Sequence, residues 1–245
     1  MPGRQRANLS AWALSPLAVE LVRVRLLARP LALPLVALRD ATYVSVQYQL
    51  ACRNQEAWGL RWGSVHRDYV DLVEVLSYNA LDEGKTAGSV RRIPLPRLLA
   101  TDLEAWRTAL KDAGHAADPE SFVFPGSLGG DCHGHPLGHM TGNQAKKWGG
   151  KYLRPAVEAV QAEHPREHPI ATATPYSLRR GGISLRIRAG EDRQVIAEEC
   201  GTSVAVIDRY YSFAIDALRH DGPMSADAER AAARRAVAQA RCRSF

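Results

Sequence analysis

Cysteine is scarce in this chain: Cys52, Cys132, Cys200 and Cys242 lie far apart among 245 residues and form no C-x-x-C pair. That spacing excludes a zinc ribbon and a disulfide framework, and makes a reducing cytoplasm the expected compartment. Lysine is scarce too, contributing five of the 32 basic residues, and the abundance of alanine and arginine hints at a GC-rich bacterial genome. Uninterrupted apolar runs are missing. The stretch from Ala11 to Leu38 has the length of a membrane segment, but Glu20, Arg23, Arg25 and Arg29 break it, and Pro30 and Pro34 follow. No membrane span is expected.

What is present suits a packed domain. At 46% hydrophobic residues, a chain of this length buries roughly 70 to 75% of the surface its unfolded form exposes. No internal repeat or low-complexity block stands out. The apolar spacing predicts a helix over about 17–27, a Pro-punctuated turn, and one or two helices over 36–60. A β-compatible run follows from Leu72 to Tyr78, then the polar turn Asp82 to Gly88, then a second strand from Val90 to Leu95, together a hairpin with Lys85 at its tip. Helices are expected again over 98–113, with Gly114 as the stop, and over 142–162, 176–189, 193–200 and 203–213. An Ala/Arg-rich helix over 226–240 has few large apolar residues and needs a neighbour to dock on. The order indicates an α+β, mainly helical fold with a small antiparallel sheet.

The formal charge is +6, which favours a polyanionic partner. Between Cys132 and Val157 there is no acidic residue, while Lys146, Lys147, Lys151 and Arg154 alternate with Trp148 and Tyr152. The stretch from His168 to Gly190 is also free of acid and carries Arg179, Arg180, Arg186 and Arg188. Such segments neutralise phosphates along a duplex, and double-stranded DNA is the expected partner. Cys132, His133, His135 and His139 bear zinc-ligand groups, but they sit in a Gly/Pro-rich stretch without a second ligand pair at finger spacing. No metal or other cofactor is expected.

Four short motifs carry the chemistry. Arg53, Glu56, Leu60 and Trp62 form the pattern R-x-x-E-x-x-x-L-x-W. Lys85-Thr86 precedes Arg91-Arg92-Ile93-Pro94-Leu95. Then comes Thr174-Pro175-Tyr176-Ser177-Leu178-Arg179-Arg180, and finally Cys200-Gly201-Thr202 with Arg209-Tyr210-Tyr211-Ser212. In this order and spacing they resemble the boxes of the tyrosine recombinase, or phage integrase, family. The resemblance covers about residues 14–214, that family's catalytic domain, between a short tail at 1–13 and a helical tail at 215–245. It implies a DNA breaking-rejoining catalytic core, with the usual amino-terminal core-binding domain absent.

The resemblance also implies roles. Arg53 and Arg179 would clamp the scissile phosphate, since a guanidinium stays charged and binds phosphate oxygens bidentately. Tyr211 would be the nucleophile of a metal-independent cleavage through a 3′-phosphotyrosyl intermediate. Tyr210 is the competing assignment. Lys85 would protonate the leaving 5′ oxygen. Glu56 would orient basic residues, while Arg91, Arg92, Lys146, Lys147, Lys151, Arg154 and Arg180 would contact DNA.

Two positions depart from the family pattern: Tyr176 stands where the third box has histidine, and Thr202 where the fourth has histidine or tryptophan. A free tyrosine, with a pKa near 10, is a poor general base at neutral pH. Cleavage slower by about 10 to 1000-fold is expected from lost acid–base help. The expected activity is site-specific recombination for integration or excision of a mobile element, by a homotetramer on paired sites in a bacterial nucleoid-associated setting. A type IB topoisomerase shares the chemistry, and an impaired recombinase acting as a DNA-binding protein is the alternative.

Overall fold

A computed structural model describes residues 13–29, 34–77, 80–83, 90–128, 138–165 and 173–242. The helices are α1 (Pro16–Leu27), α2 (Pro34–Gln49), α3 (Asn54–Trp58), α4 (Arg97–Asp112), α5 (Gly142–Trp148), α6 (Arg154–Glu163), α7 (Pro175–Arg188), α8 (Arg193–Cys200), α9 (Val204–Tyr210), α10 (Ser212–Asp221) and α11 (Ala226–Cys242). The strands are β1 (Tyr69–Leu72), β2 (Glu74–Ser77), β3 (Ala80–Glu83) and β4 (Arg91–Pro94). The architecture is α+β and mainly helical, as the pattern of elements implies.

Local signals start the helices where they start. Ser15 caps α1, its hydroxyl accepting the Ala18 N–H at 3.1 Å, and Pro16 opens the first turn, where a missing N–H costs nothing. Helix α2 is buried on nearly every side and forms the axis of the core. Around it Tyr43 stacks on Trp58 at 3.8 Å and meets Trp148 edge-on at 4.5 Å. The carboxylate of Asp40 is fully buried there, accepting from Trp148 Nε1 at 3.0 Å and from Arg39 and Arg29 at 3.1 Å. A buried charge is tolerable only with such partners. In α4 the buried Leu99, Leu103, Trp106 and Leu110 follow helical spacing, as expected of an amphipathic helix.

The sheet differs from the expected hairpin. The β-compatible run is divided: β4 pairs antiparallel with β1, in the register Val70 to Ile93 and Leu72 to Arg91, while β2 pairs separately with β3. Burial alternates in phase on β1 and β4, so Val70, Leu72 and Ile93 enter the core together and Asp71 faces Arg92 outside. A strand beginning at Leu72 would have left that inward face half built. Lys85 and the rest of the expected turn from Gly84 to Gly88 lie outside the described residues, as do Tyr78, Cys132, His133 and His135.

Helix α7 approaches α2 through two glycines. A Cβ on Gly181 would collide with the Leu14 carbonyl, and one on Gly182 with the Tyr48 carbonyl. Only bare backbone lets α7 sit this close, and that proximity carries Arg179 and Arg180 inward. The expected helix over 203–213 is interrupted at Tyr211, whose φ of −120° and ψ of 18° end α9 and begin α10. Segment 142–162 is likewise divided, by a π-helical turn over Gly149–Leu153. Helix α11 finds the neighbour its composition calls for on its own chain, packed on α1, α4 and α7 with Ala233 and Val237 buried. Among the described residues no helix is long and apolar enough to cross a membrane.

Candidate active site

Arg53 caps the short helix α3, and Glu56 three residues later turns back on it. The Glu56 carboxylate accepts the Arg53 backbone N–H at 2.6 Å and the Arg53 Nη1 at 2.9 Å. Glu56 is 3% exposed, whereas the Arg53 side chain is 52% exposed. The carboxylate thus holds the root of a guanidinium whose face is open to solvent. Arg53 Nη2 also donates to the Gly201 carbonyl, 148 positions away in sequence. The first and fourth motifs therefore meet.

Arg91 closes the same group from the sheet. Its Nη2 lies 2.8 Å from Glu56 Oε1, and its Nε donates to the Glu199 carbonyl at 3.0 Å. Burial alone would raise the Glu56 pKa, but the Arg91 charge, the Arg53 N–H and both guanidinium hydrogen bonds outweigh it and hold the carboxyl below its usual range. Arg91 was expected to touch DNA. Its position corrects that assignment, because strand alternation places it on the inward face with Ile93, and its side chain is only 5% exposed.

Arg179 is fixed by backbone. Its Nη1 donates to the Ala51 carbonyl and its Nη2 to the Cys200 carbonyl, both at 2.7 Å. Ala51 sits at a φ of 49°, a left-handed conformation that costs an alanine about 1 to 2 kcal/mol. The third motif is thereby tied to Ala51, just before the first, and to Cys200 of the fourth.

Tyr211 stands at the junction of α9 and α10 and is 3% exposed. Burial pushes its phenol pKa up, as does neighbouring Tyr176, while the charges of Arg179 and Arg180 pull it down. Burial prevails over the two arginines, so the phenol titrates above its ordinary range. Tyr210, the competing nucleophile, is exposed on α9, with Arg209 over its ring at 5.3 Å. Tyr176 is 53% exposed at the start of α7, and the Arg180 guanidinium lies 5.6 Å from its ring centre. Thr202 is half-buried, its backbone N–H donating to Ala197 O at 2.9 Å.

Arg53, Glu56, Tyr176, Arg179 and Tyr211, with Thr202 next to Gly201, are thus gathered in one region. Lys146, Lys147, Lys151 and Arg154 are exposed along α5, the π turn and the start of α6. Arg92 is exposed, but it is paired with Asp71 at 2.9 Å and lies over Tyr69 at 3.8 Å. Arg180 is largely buried. Sequence reasoning did not find the backbone acceptors Ala51, Cys200 and Gly201, since a carbonyl leaves no side-chain signature. Among the described residues no cluster of three or more His, Cys, Asp or Glu side chains is placed to hold a metal.

No family profile and no curated protein sequence matches the chain. Solved structures do. The Tn1549 transposon integrase in complex with transposon right end DNA superposes with a TM-score of 0.57 at 19% identity, over 81% of this chain and 62% of that one. The same integrase in complex with circular intermediate DNA gives 0.58 at 17% identity, over 78% and 59%. XerA recombinase gives 0.52 at 14% identity, over 87% and 64%. The chain therefore spans about three fifths of the length of the Tn1549 structures it resembles. It shares the mainly helical α+β fold of these structures. More particularly, it has the catalytic-domain fold of the tyrosine recombinases.

Proposed function

We propose that this chain, over residues 14–214, is the catalytic domain of a site-specific tyrosine recombinase that cleaves and rejoins duplex DNA. The observation that carries the reading is the position of Tyr211: a buried phenol at a break between two helices, in one core cluster with Ala51 and Cys200, whose carbonyls hold Arg179, and near a loop whose Gly201 carbonyl is held by Arg53.

In this reading Arg53 presents its open guanidinium face to the nonbridging oxygens of the scissile phosphate, and Arg179 supports that phosphate from the floor of the site. Both stabilise the crowded anionic transition state more than the ground state. The Tyr211 Oη forms a bond to phosphorus as the bond from phosphorus to the 5′ oxygen breaks. The phenolic proton passes to water, directly or relayed through the Tyr176 hydroxyl, which gives its own proton to water as it accepts, and Lys85 supplies a proton to the departing 5′ oxygen. Attack by a 5′ hydroxyl on the 3′-phosphotyrosyl bond reverses these transfers and rejoins the strand. Glu56 and Arg91 position Arg53 without contacting DNA. Lys146, Lys147, Lys151 and Arg154 bind flanking phosphates, with binding that weakens as salt rises. Integration or excision of a mobile element in a bacterial cytoplasm, by a homotetramer on paired sites, is the setting that suits this chemistry.

The test is formation of an SDS-resistant protein–DNA adduct on nicked duplexes from a randomised pool, with filter binding alongside. An adduct made by the wild type and by Tyr210→Phe, and lost in Tyr211→Phe, supports the reading. Binding with no adduct points to a DNA-binding protein without strand transfer, and no binding at low salt overturns both.

A further inference from the structure

A second cleft lies away from the residues gathered around Tyr211. It has a volume of about 430 Å³ and runs between the 3₁₀ turn at Trp62–Ser64, the segment leading into β1, and the second half of α4. Leu95, just beyond β4, lines it, whereas Arg91, at the other end of that strand, belongs to the site already described. At about 3.3 Å per strand residue, the two positions are about 13 Å apart.

Positive charge is in excess in this cleft. Arg67, Arg107 and Lys111 line it against one carboxylate, Glu104, and none of the three cations has an ion pair among the described residues. Each has a physical reason for being available. Arg107 gives Nε and Nη2 to the Ala117 carbonyl at 3.0 and 2.7 Å, which fixes its plane over the Trp62 ring at 5.0 Å. Lys111 is in the last turn of α4, where a lysine often satisfies free carbonyls. Here backbone N–H groups do so instead, Gly114 donating to Lys111 O and His115 to Leu110 O, both at 2.9 Å. Arg67 is exposed in the turn before β1.

Trp62 adds an independent sign. It lines the cleft, and its indole Nε1–H is buried with no hydrogen-bond partner. A buried donor left unmade costs about 1 to 3 kcal/mol, so a native structure normally supplies an acceptor. The ring of His66, also in the lining, stands 3.3 Å from Asp71 Oδ2. Fixed guanidinium, mobile ammonium and leftover N–H donors suit a compact oxyanion better than a neutral ligand.

We propose that this cleft is a phosphate-binding site separate from the candidate active site, with Arg67, Arg107 and Lys111 as its cationic ligands. The proposal does not depend on strand transfer. The phosphate belongs either to a DNA backbone running past α4 or to a free phosphate compound, and the chemistry of recognition is the same for both.

Calorimetric titration of the full chain with inorganic pyrophosphate at low salt tests it. The double variant Arg67→Gln/Lys111→Gln removes two exposed side chains that make no described contact, so its fold should persist, as a thermal melt will verify. Measured in an Arg53→Gln background, which removes the open guanidinium of the other site, binding should weaken by about tenfold or more when the double variant is added. Trp62→Phe, which deletes only the N–H and some ring area, should weaken it by a smaller factor. Pyrophosphate binding that survives the double variant, that disappears in Arg53→Gln, or that is absent from the wild type overturns the proposal. The same double variant titrated with duplex DNA separates the sources. A fall of one to two in the slope of log affinity against log salt identifies a DNA phosphate, and an unchanged slope with lost pyrophosphate binding identifies a free one.

Discussion

Arg91 and Glu56 face each other inside the protein, Nη2 to Oε1 at 2.8 Å, and the same carboxylate oxygen holds Arg53 at 2.9 Å on the side open to solvent. One buried carboxylate thus connects a strand, a helix cap and the exposed guanidinium. Removing one partner of a buried pair costs far more than the pair contributes, because a charge is left behind without compensation. Arg91→Ala should therefore destabilise the fold by about 3 kcal/mol, read by urea denaturation. Arg92→Ala, one position along on the exposed face, should cost far less, since its pair with Asp71 is screened by solvent.

The same carboxylate gives the protein an acid limit. The Glu56 pKa is lowered in the folded state, so its stabilising contribution is present above the ordinary glutamate range and is lost as pH falls through the folded value. Stability should drop below about pH 4.3, the unperturbed glutamate pKa. In Glu56→Gln the acid branch of a stability–pH profile should flatten relative to wild type. An identical slope in the variant would assign the acid transition to other carboxylates.

Gly201 ends α8 in the left-handed region at a φ of 63°, and a Cβ there would lie 2.6 Å from Arg91 Nη1. Gly201→Ala meets a backbone penalty of about 1 kcal/mol together with a clash against a fixed guanidinium. The combined loss should exceed about 2 kcal/mol. Paired with Arg91→Ala it should be less than additive, since the clash partner is gone. Strict additivity in a double-mutant cycle would show that Arg91 moves aside freely.

Much of this arrangement is legible in the sequence, and the remainder is hidden for identifiable reasons. Helix positions follow apolar spacing, so α1, α4, α7 and α8 fall close to where the pattern sets them. Arg53, Glu56, Arg179 and Tyr211 are marked by spacing between short motifs. Strand pairing is hidden because a run from Leu72 to Tyr78 satisfies one long strand or parts of two equally well, and the choice depends on which register completes the core. Arg91 could have been placed by alternation: with Ile93 inward, the residue two before it is inward as well. The break at Tyr211 has no glycine or proline to announce it. It is set by tertiary packing of Ile207, Tyr211 and Ala214 against Ile183 and Ile187.

Tyr176 is the position where one substitution separates chemistry from fold. It is 53% exposed and adjoins the field at Tyr211, so replacing it disturbs little packing. An imidazole titrates near neutral pH and a phenol does not. Under the proposed strand transfer, Tyr176→His should raise the rate of adduct formation at pH 7 by about tenfold or more. Tyr176→Phe should lower it or leave it unchanged, with equal DNA binding in all three. A Tyr176→His rate no faster than wild type would mean that the proton from Tyr211 does not pass through this position.

Helix α11 supplies the last expectation. An Ala/Arg-rich helix with two buried residues, Ala233 and Val237, has little apolar area of its own and would be marginal alone. It is held by Arg234, which donates to Asp102 Oδ1 at 2.9 Å and Oδ2 at 2.8 Å and approaches Glu20 at 3.6 Å. A bidentate guanidinium–carboxylate pair is the strongest geometry for such an anchor, and Asp102 also accepts from Ser45 at 2.8 Å on α2. Deleting residues 223–245 uncovers α1 and leaves Asp102 and Glu20 without Arg234. The loss should be about 2 kcal/mol or more and independent of protein concentration, because the contact lies within one chain. Arg234→Ala alone should account for roughly half of it. A loss that grows on dilution would instead show that the helix is shared between copies in solution.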